Sequence, residues 1–258
     1  MVGFPLGYAY AYLIKWIPFI YLNFFITLGY GFLLGLGTGF ILKFSKVRSG
    51  LIAGLCALSV GLIAWYLAWS AHIHSLVDEA PWFLYPHQVW AVMKLLYAEG
   101  SWGLGFSSSA PVTGVILALV WLVEAGMIVG LCVIVGYGMV ADTPFCEQHG
   151  CWLDEEKKIS KLDAIVDPNH IAALQTGDLS PLNQARPRVP ASGRFARLTI
   201  KHSDHCHDFC TLSVENVSVT LDKEGKTKEE KSAIVSNLMV PKTMFDYLAR
   251  FDHITADE

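Results

Sequence analysis

Three long apolar runs constrain this chain more than any other feature. They cover residues 18–42, 51–70 and 112–140, each near or above the ~20 residues that carry a helix across a ~30 Å hydrocarbon core. The third exceeds that length, so it must tilt or protrude, and only Glu124 interrupts it. Three such runs within 140 residues exclude a single water-soluble globule. The charges agree: residues 1–140 carry 9 charged side chains and residues 141–258 carry 33. The expected architecture is a membrane α-helical domain of three transmembrane helices at 18–140, preceded by a segment at 1–17 and followed by a small soluble α+β domain at 141–258. With a net charge of −4 and no basic half, the composition argues against a nucleic-acid partner.

Residues 1–17 are aromatic-rich with Lys15 as the single charge. They lack the positive n-region of a secretory signal, and Pro5 comes early. Only 38 residues separate Pro5 from Leu42 inclusive, too few for two spans and a turn, so an interfacial or half-inserted segment bending near Pro18 is expected. The link between the first two spans holds Lys43, Lys46 and Arg48, whereas 71–111 holds only Lys94 against Asp78, Glu79 and Glu99. The positive-inside rule then predicts a multi-pass protein of the cell (inner) membrane, with the N-terminus outside and the C-terminal domain cytoplasmic. Lys157, Lys158 and Lys161 agree with that orientation, and Lys15 opposes it. Within 71–111, the stretch HQVWAVMKLLYAEG sets Trp90, Met93, Leu96 and Tyr97 on one helical face. This predicts a short amphipathic helix, either on the outer membrane surface or capping the spans.

Small residues recur along the spans. Gly31, Gly35 and Gly39 are spaced by four, and the third span offers Gly126 and Gly130. Such ladders let helix backbones approach closely, within one chain or between subunits. GLGTGF lies inside an apolar run with no strand before it, so it is not a dinucleotide loop. Glu124 is the sharpest feature of this half. A carboxylate at mid-membrane costs at least ~2.5 kcal/mol unless protonated or bonded, so a neutral acid hydrogen-bonded to Ser59, Thr38, Thr27, Asn23 or a nearby tyrosine is expected. His72 and His74 fall at the end of the second span and read as solvated interface side chains.

The polar half carries two ligand-rich windows, TPFCEQHGCW and HSDHCHDFC. The first holds Cys146, His149 and Cys151, the second His202, His205, Cys206, His207 and Cys210. Two such knuckles parted by about fifty residues are what a structural zinc site requires, because four soft N and S donors close a tetrahedron and pin two distant loops. The flanking ARLTIKH and TLSVENVSVTL alternate like strands, which places the second knuckle on a turn in a zinc-ribbon-like arrangement. The favoured ligands are Cys146, His149, Cys206 and Cys210, with Cys151 and His207 as substitutes. Free thiols, or a Cys146–Cys151 disulfide in an oxidising compartment, are the alternatives. Cys56 and Cys132 lie in spans and read as small packing residues.

The remainder predicts a helix over LDEEKKISKLDAIV and a second over DPNHIAALQTG with Asp167 as N-cap and Pro168 at the first position. A loop over SPLNQARPRVPASG, a hairpin turning near Lys223–Lys226 and a closing amphipathic helix in PKTMFDYLARF complete it. GKT at 225–227 is not a P-loop, since Thr220 occupies the position that requires glycine. The Asn216-Val217-Ser218 sequon carries no weight on a cytoplasmic strand. No catalytic constellation is legible. The expected function is a membrane scaffold or assembly subunit, in a homo- or hetero-oligomer within the bilayer, whose zinc-stabilised module docks partner proteins. A subunit of a proton-, ion- or redox-linked complex using Glu124 is the alternative, and an outer-interface enzyme using His72, His74 or His87 is a third reading.

Overall fold

The computed structural model describes residues 3–17, 20–77, 81–100, 111–186, 193–221 and 226–253. The chain divides into two compact units, Met1–Asp142 and Thr143–Glu258.

The first unit is helical: α1 (Gly3–Trp16), α2 (Ile20–Phe44), α3 (Gly50–Leu76), α4 (Pro86–Glu99) and α5 (Gly114–Ala141). Among the described residues, three helices are long and apolar enough to cross a membrane, spanning Tyr21–Phe44, Gly50–Leu76 and Gly114–Ala141. The second outruns its expected end at residue 70, so His72 and His74 lie within α3. A helix needs no charge-free sequence at its interfacial end, only satisfied backbone, and α3 ends where Val77 turns extended.

Glycines set the closest helix approaches. A Cβ on Gly31 would lie 2.9 Å from the Met127 carbonyl oxygen, and one on Gly35 2.7 Å from Val135 Cβ. Gly39 meets Met139 in the same way, so the whole ladder of α2 faces α5. The α5 glycines behave differently, because nothing lies within 4 Å of a Cβ built on Gly126 or Gly130. Gly136 is the close-packed glycine of α5 instead: a Cβ there would lie 3.0 Å from Ala57 Cβ on α3 and 3.6 Å from the Gly35 carbonyl oxygen on α2.

The N-terminal segment is a helix packed on the bundle. Gly7 sits against the α3 backbone at Ala68, and Ala11 and Ala71 bury each other. Lys15 donates to the Ser75 carbonyl in the last turn of α3, where a cation satisfies an orphan acceptor and the helix dipole. That contact gives Lys15 a local reason to be where it is, independent of topology. The bend expected at Pro18 falls outside the described residues.

Helix α4 caps α3 and α5 through Val89, Val92, Met93 and Leu96, packed on Trp69, Ile73 and Trp121. The expected face was rotated: Trp90 and Tyr97 are exposed. Ser70 Oγ accepts from the Leu84 amide at 3.0 Å, and Tyr66 donates to the Leu84 carbonyl, which ties the approach to α4 onto α3.

The second unit begins with a small hairpin, β1 (Phe145–Cys146) and β2 (Cys151–Trp152), followed by β3 (Glu155–Leu162), α6 (Pro168–Gln175) and α7 (Ser180–Gln184). Strands β4 (Arg194–His202), β5 (Phe209–Leu221) and β6 (Thr227–Pro241), helix α8 (Met244–Ala249) and a 3-10 turn at Arg250–His253 follow. The sheet is an antiparallel meander in the order β3-β4-β5-β6. Its buried face, with Ile159, Leu198, Ile200, Leu212 and Val214, packs on Leu174 of α6, Leu182 of α7 and Leu248 of α8. Arg197 reaches Glu215, Glu229 and Ser160.

Two expectations fail here. LDEEKKISKLDAIV forms strand β3, not a helix, and the reason is a bulge. Ile159 and Leu162 are three apart, a helical spacing, but a register shift between them resets the alternation and buries both. SPLNQ forms the short helix α7, because Pro181 and Leu182 are needed in the core. Helix α6 starts as expected, with Asp167 accepting from the Asn169 amide at 2.8 Å. The tip of the β5–β6 hairpin falls largely on residues outside the described set.

Candidate functional site

The two knuckles of the second unit both sit on hairpin turns. Cys146 and Cys151 are register partners across β1 and β2, and the turn between them closes through Gly150 at φ +61°. Cys206 lies in the turn between β4 and β5. These turns bring Cys146 Sγ, His149 Nδ1 or Nε2 and Cys206 Sγ to within 4.8 Å of one another. Cys146 Sγ and His149 Nδ1 are 3.5 Å apart. Ligands on one tetrahedral zinc stand roughly 3.3–3.8 Å apart, given Zn–S and Zn–N bonds of ~2.3 and ~2.0 Å, so the trio needs only a small contraction to close on a metal. Both cysteines are fully buried, packed with Leu153.

The favoured foursome does not assemble as a set. Cys210 turns into the sheet core beside Leu212 and Val240 and lies outside the trio. Alternation along β5 explains this, because Cys210 and Leu212 share one face and that face is the core. Cys151, one of the substitutes, packs against the Cys146–Cys206 cluster. His207, the other, has its ring 5.6 Å from that of His149, and Asp208 Oδ2 is 3.3 Å from His149 Nδ1.

The thiols differ in acidity. Burial pushes Cys146 up, and its hydrogen bond with Cys206 acts in the same direction. Burial opposes ionisation of Cys206 as well, but backbone groups of Phe209 and Asp208 and the Cys146 thiol outweigh it and hold Cys206 below its ordinary value. Cys206 is therefore the more acidic of the two thiols.

A second group escaped the sequence reading: Glu155, His202 and Asp204. Glu155 and His202 are directly opposite in the β3–β4 register, and His202 Nδ1 lies 3.5 Å from Glu155 Oε2. Reading β3 as a helix hid the pairing.

In the helical unit, Glu124 finds its partner on α1. The Tyr10 hydroxyl lies 2.5 Å from Glu124 Oε1 and 3.0 Å from Thr27 Oγ1, which donates in turn to the Asn23 carbonyl at 2.9 Å. The tyrosine ring stacks on Tyr30 at 4.7 Å. Of the other expected partners, Ser59 donates to the Leu55 carbonyl and Thr38 pairs with Cys132 Sγ at 3.9 Å. Tyr10, Glu124, His72, Trp69 and Trp121 line a cavity of about 120 Å³, room for several waters. His72 is thus a neighbour of Glu124, a proximity no spacing rule relates across helices. His74 lies between Tyr8 and Trp82, ring centroids 5.8 and 4.4 Å away, and His87 stacks on Tyr85 at 5.9 Å. His72 and His74 are half-buried, His87 is exposed, and among the described residues they form no common ligand group. Asp78 and Glu79 lie outside the described residues.

Comparison with protein-family models, curated proteins and solved structures returned no match to this chain.

Proposed function

We propose that the chain is an integral membrane assembly subunit whose extramembrane module is closed by a structural zinc ion and docks partner proteins. The observation that carries this reading is the convergence of Cys146, His149 and Cys206 from two hairpin turns far apart in sequence. Three soft donors on two turns, with Cys206 the more acidic thiol, match the donor chemistry of a structural site. Cys151 or His207 supplies the fourth ligand, and the resulting closure is of the zinc-ribbon kind, two knuckles on two hairpins. The cation-rich link Lys43–Arg48 supports a cytoplasmic module, where a reducing environment keeps these thiols available.

Metal analysis of the full chain purified in mild detergent tests the reading. One zinc per chain is expected, lost in Cys146→Ser and in Cys206→Ser but kept in Cys210→Ser. A metal-free protein with an unchanged module would overturn it. Docking is tested separately by the mass of the solubilised particle, where a bare monomer without a co-purifying partner counts against an assembly role.

The Tyr10–Glu124 pair beside His72 favours a second reading, a subunit of a proton-, ion- or redox-linked complex. Glu124→Gln keeps the shape and the hydrogen bond but cannot ionise. Activity of the complex surviving that change, while Glu124→Leu destroys folding, makes the carboxyl structural and removes this reading.

A further inference from the structure

Between α4 and α5 runs a groove of about 540 Å³ whose walls include Trp65, Trp90, Met93, Tyr97, Trp121 and Leu122. Its volume is that of a small-molecule site, roughly 300–1,000 Å³. Its chemistry is nearly all hydrocarbon and aromatic, with one exception. Lys94 also lines it, with Nζ 5.6 Å from the Trp90 ring centroid.

Lys94 is the only lysine or arginine between Arg48 and Lys157 in the sequence. Among the described residues no carboxylate pairs with it, and its ammonium sits over the Trp90 ring. A lone ammonium beside an apolar groove is complementary to one kind of ligand, an anionic head joined to a hydrocarbon tail. The aromatic set points the same way, since Trp and Tyr prefer the headgroup level of a bilayer, where the ring lies in apolar surroundings and its N–H or O–H meets polar groups. The groove also answers why α4 exposes Trp90 and Tyr97 while packing through Val89 and Met93: the exposed aromatics form a wall rather than a contact with the spans.

We infer that this groove binds one anionic glycerophospholipid, with an acyl chain between α4 and α5 and the phosphate held by Lys94. A zwitterionic lipid fits the groove equally well but brings its own ammonium, so the preference rests on charge. One basic side chain near a bilayer surface favours an anionic lipid about fivefold.

Native mass spectrometry of the full chain, delipidated and then titrated with phosphatidylglycerol or phosphatidylcholine, reads this directly. Expected is one retained phosphatidylglycerol per chain, with about fivefold preference over phosphatidylcholine. Lys94→Gln abolishes the preference, Lys94→Arg keeps it, and Ala118→Trp, which fills the groove, removes retention of both lipids. Equal retention of the two lipids by the native chain overturns the proposal, as does an unchanged preference in Lys94→Gln. A lipid-free dimer would also overturn it, because the groove would then hold a second copy's helix.

Discussion

Tyr10 has one proton and two neighbours that want it. If Glu124 is ionised, Tyr10 donates to the carboxylate, and Thr27, whose proton goes to the Asn23 carbonyl, has none left for the tyrosine oxygen. A protonated Glu124 reverses the chain: the acid donates to Tyr10, Tyr10 to Thr27, and Thr27 to the backbone, with every contact filled. The expected signature is a protonated-carboxyl C=O stretch in the infrared spectrum at neutral pH that vanishes in Glu124→Gln; its absence from the native protein refutes the counting. Tyr10→Phe removes the link to α1 and should lower unfolding stability by ~0.5–2 kcal/mol, the range for hydrogen bonds between membrane helices. His202 gives a pH prediction in the other unit. Burial holds its imidazole below the ordinary value near 6.5, helped by Lys242 and only partly opposed by Glu155. The unfolded chain therefore takes up a proton that the folded domain refuses. Stability is full above pH ~6.5 and falls as pH drops toward the depressed folded value. His202→Gln should flatten that limb of a melting-temperature profile while leaving the rest unchanged.

The glycine ladder separates two helices that look alike in sequence. On α2, Gly31 faces a backbone carbonyl of α5 that cannot move aside, whereas Gly39 faces the flexible Met139 side chain. Gly31→Val should cost ~1–3 kcal/mol by overpacking, Gly39→Ala less, and Gly130→Val less than ~0.5 kcal/mol in the monomer. Thermal unfolding in detergent measures all three; equal costs at Gly31 and Gly130 would show that α5 packs differently. Spacing alone announces that small residues line a face, but not which of two faces meets a neighbour. The same limit applies to β3. Its Ile159 and Leu162 carry a helical spacing, and only the bulge, which depends on pairing with β4, lets a strand bury both. Elements governed by local chemistry were legible: the three spans from length, α6 from Asp167 and Pro168, and β4 from alternation. The rotated face of α4 and the helix at Ser180–Gln184 depend on tertiary partners, so periodicity missed them. At the knuckles, residue type picked out Cys146, His149 and Cys206, which the fold brings together, but strand phase put Cys210 in the core.

For the whole molecule, the two units ask for different kinds of stabilisation. The second has a compact sheet-and-helix core, with the Cys146–Cys206 cluster as a separate patch under the hairpin turns. If the proposed zinc is bound, chelation should loosen the turns bearing Cys146 and Cys206 before the sheet. In hydrogen exchange, added chelator is expected to raise rates at 145–152 and 203–209 while Leu198–Ile200 and Leu212–Val214 stay protected; a uniform rise would mean that the metal holds the entire fold. Among the described residues of the first unit, the polar link that spans the most sequence is Tyr10 to Glu124, across 114 positions. That distance has a consequence for biogenesis. At ~5–20 residues per second the ribosome delivers the phenol roughly 6–23 s before the acid. By the time α5 leaves the translocation channel, its costly side chain meets a docking partner already in the lipid. Removal of the first helix should then register as stalled release of the last one, a defect in insertion rather than in the finished protein.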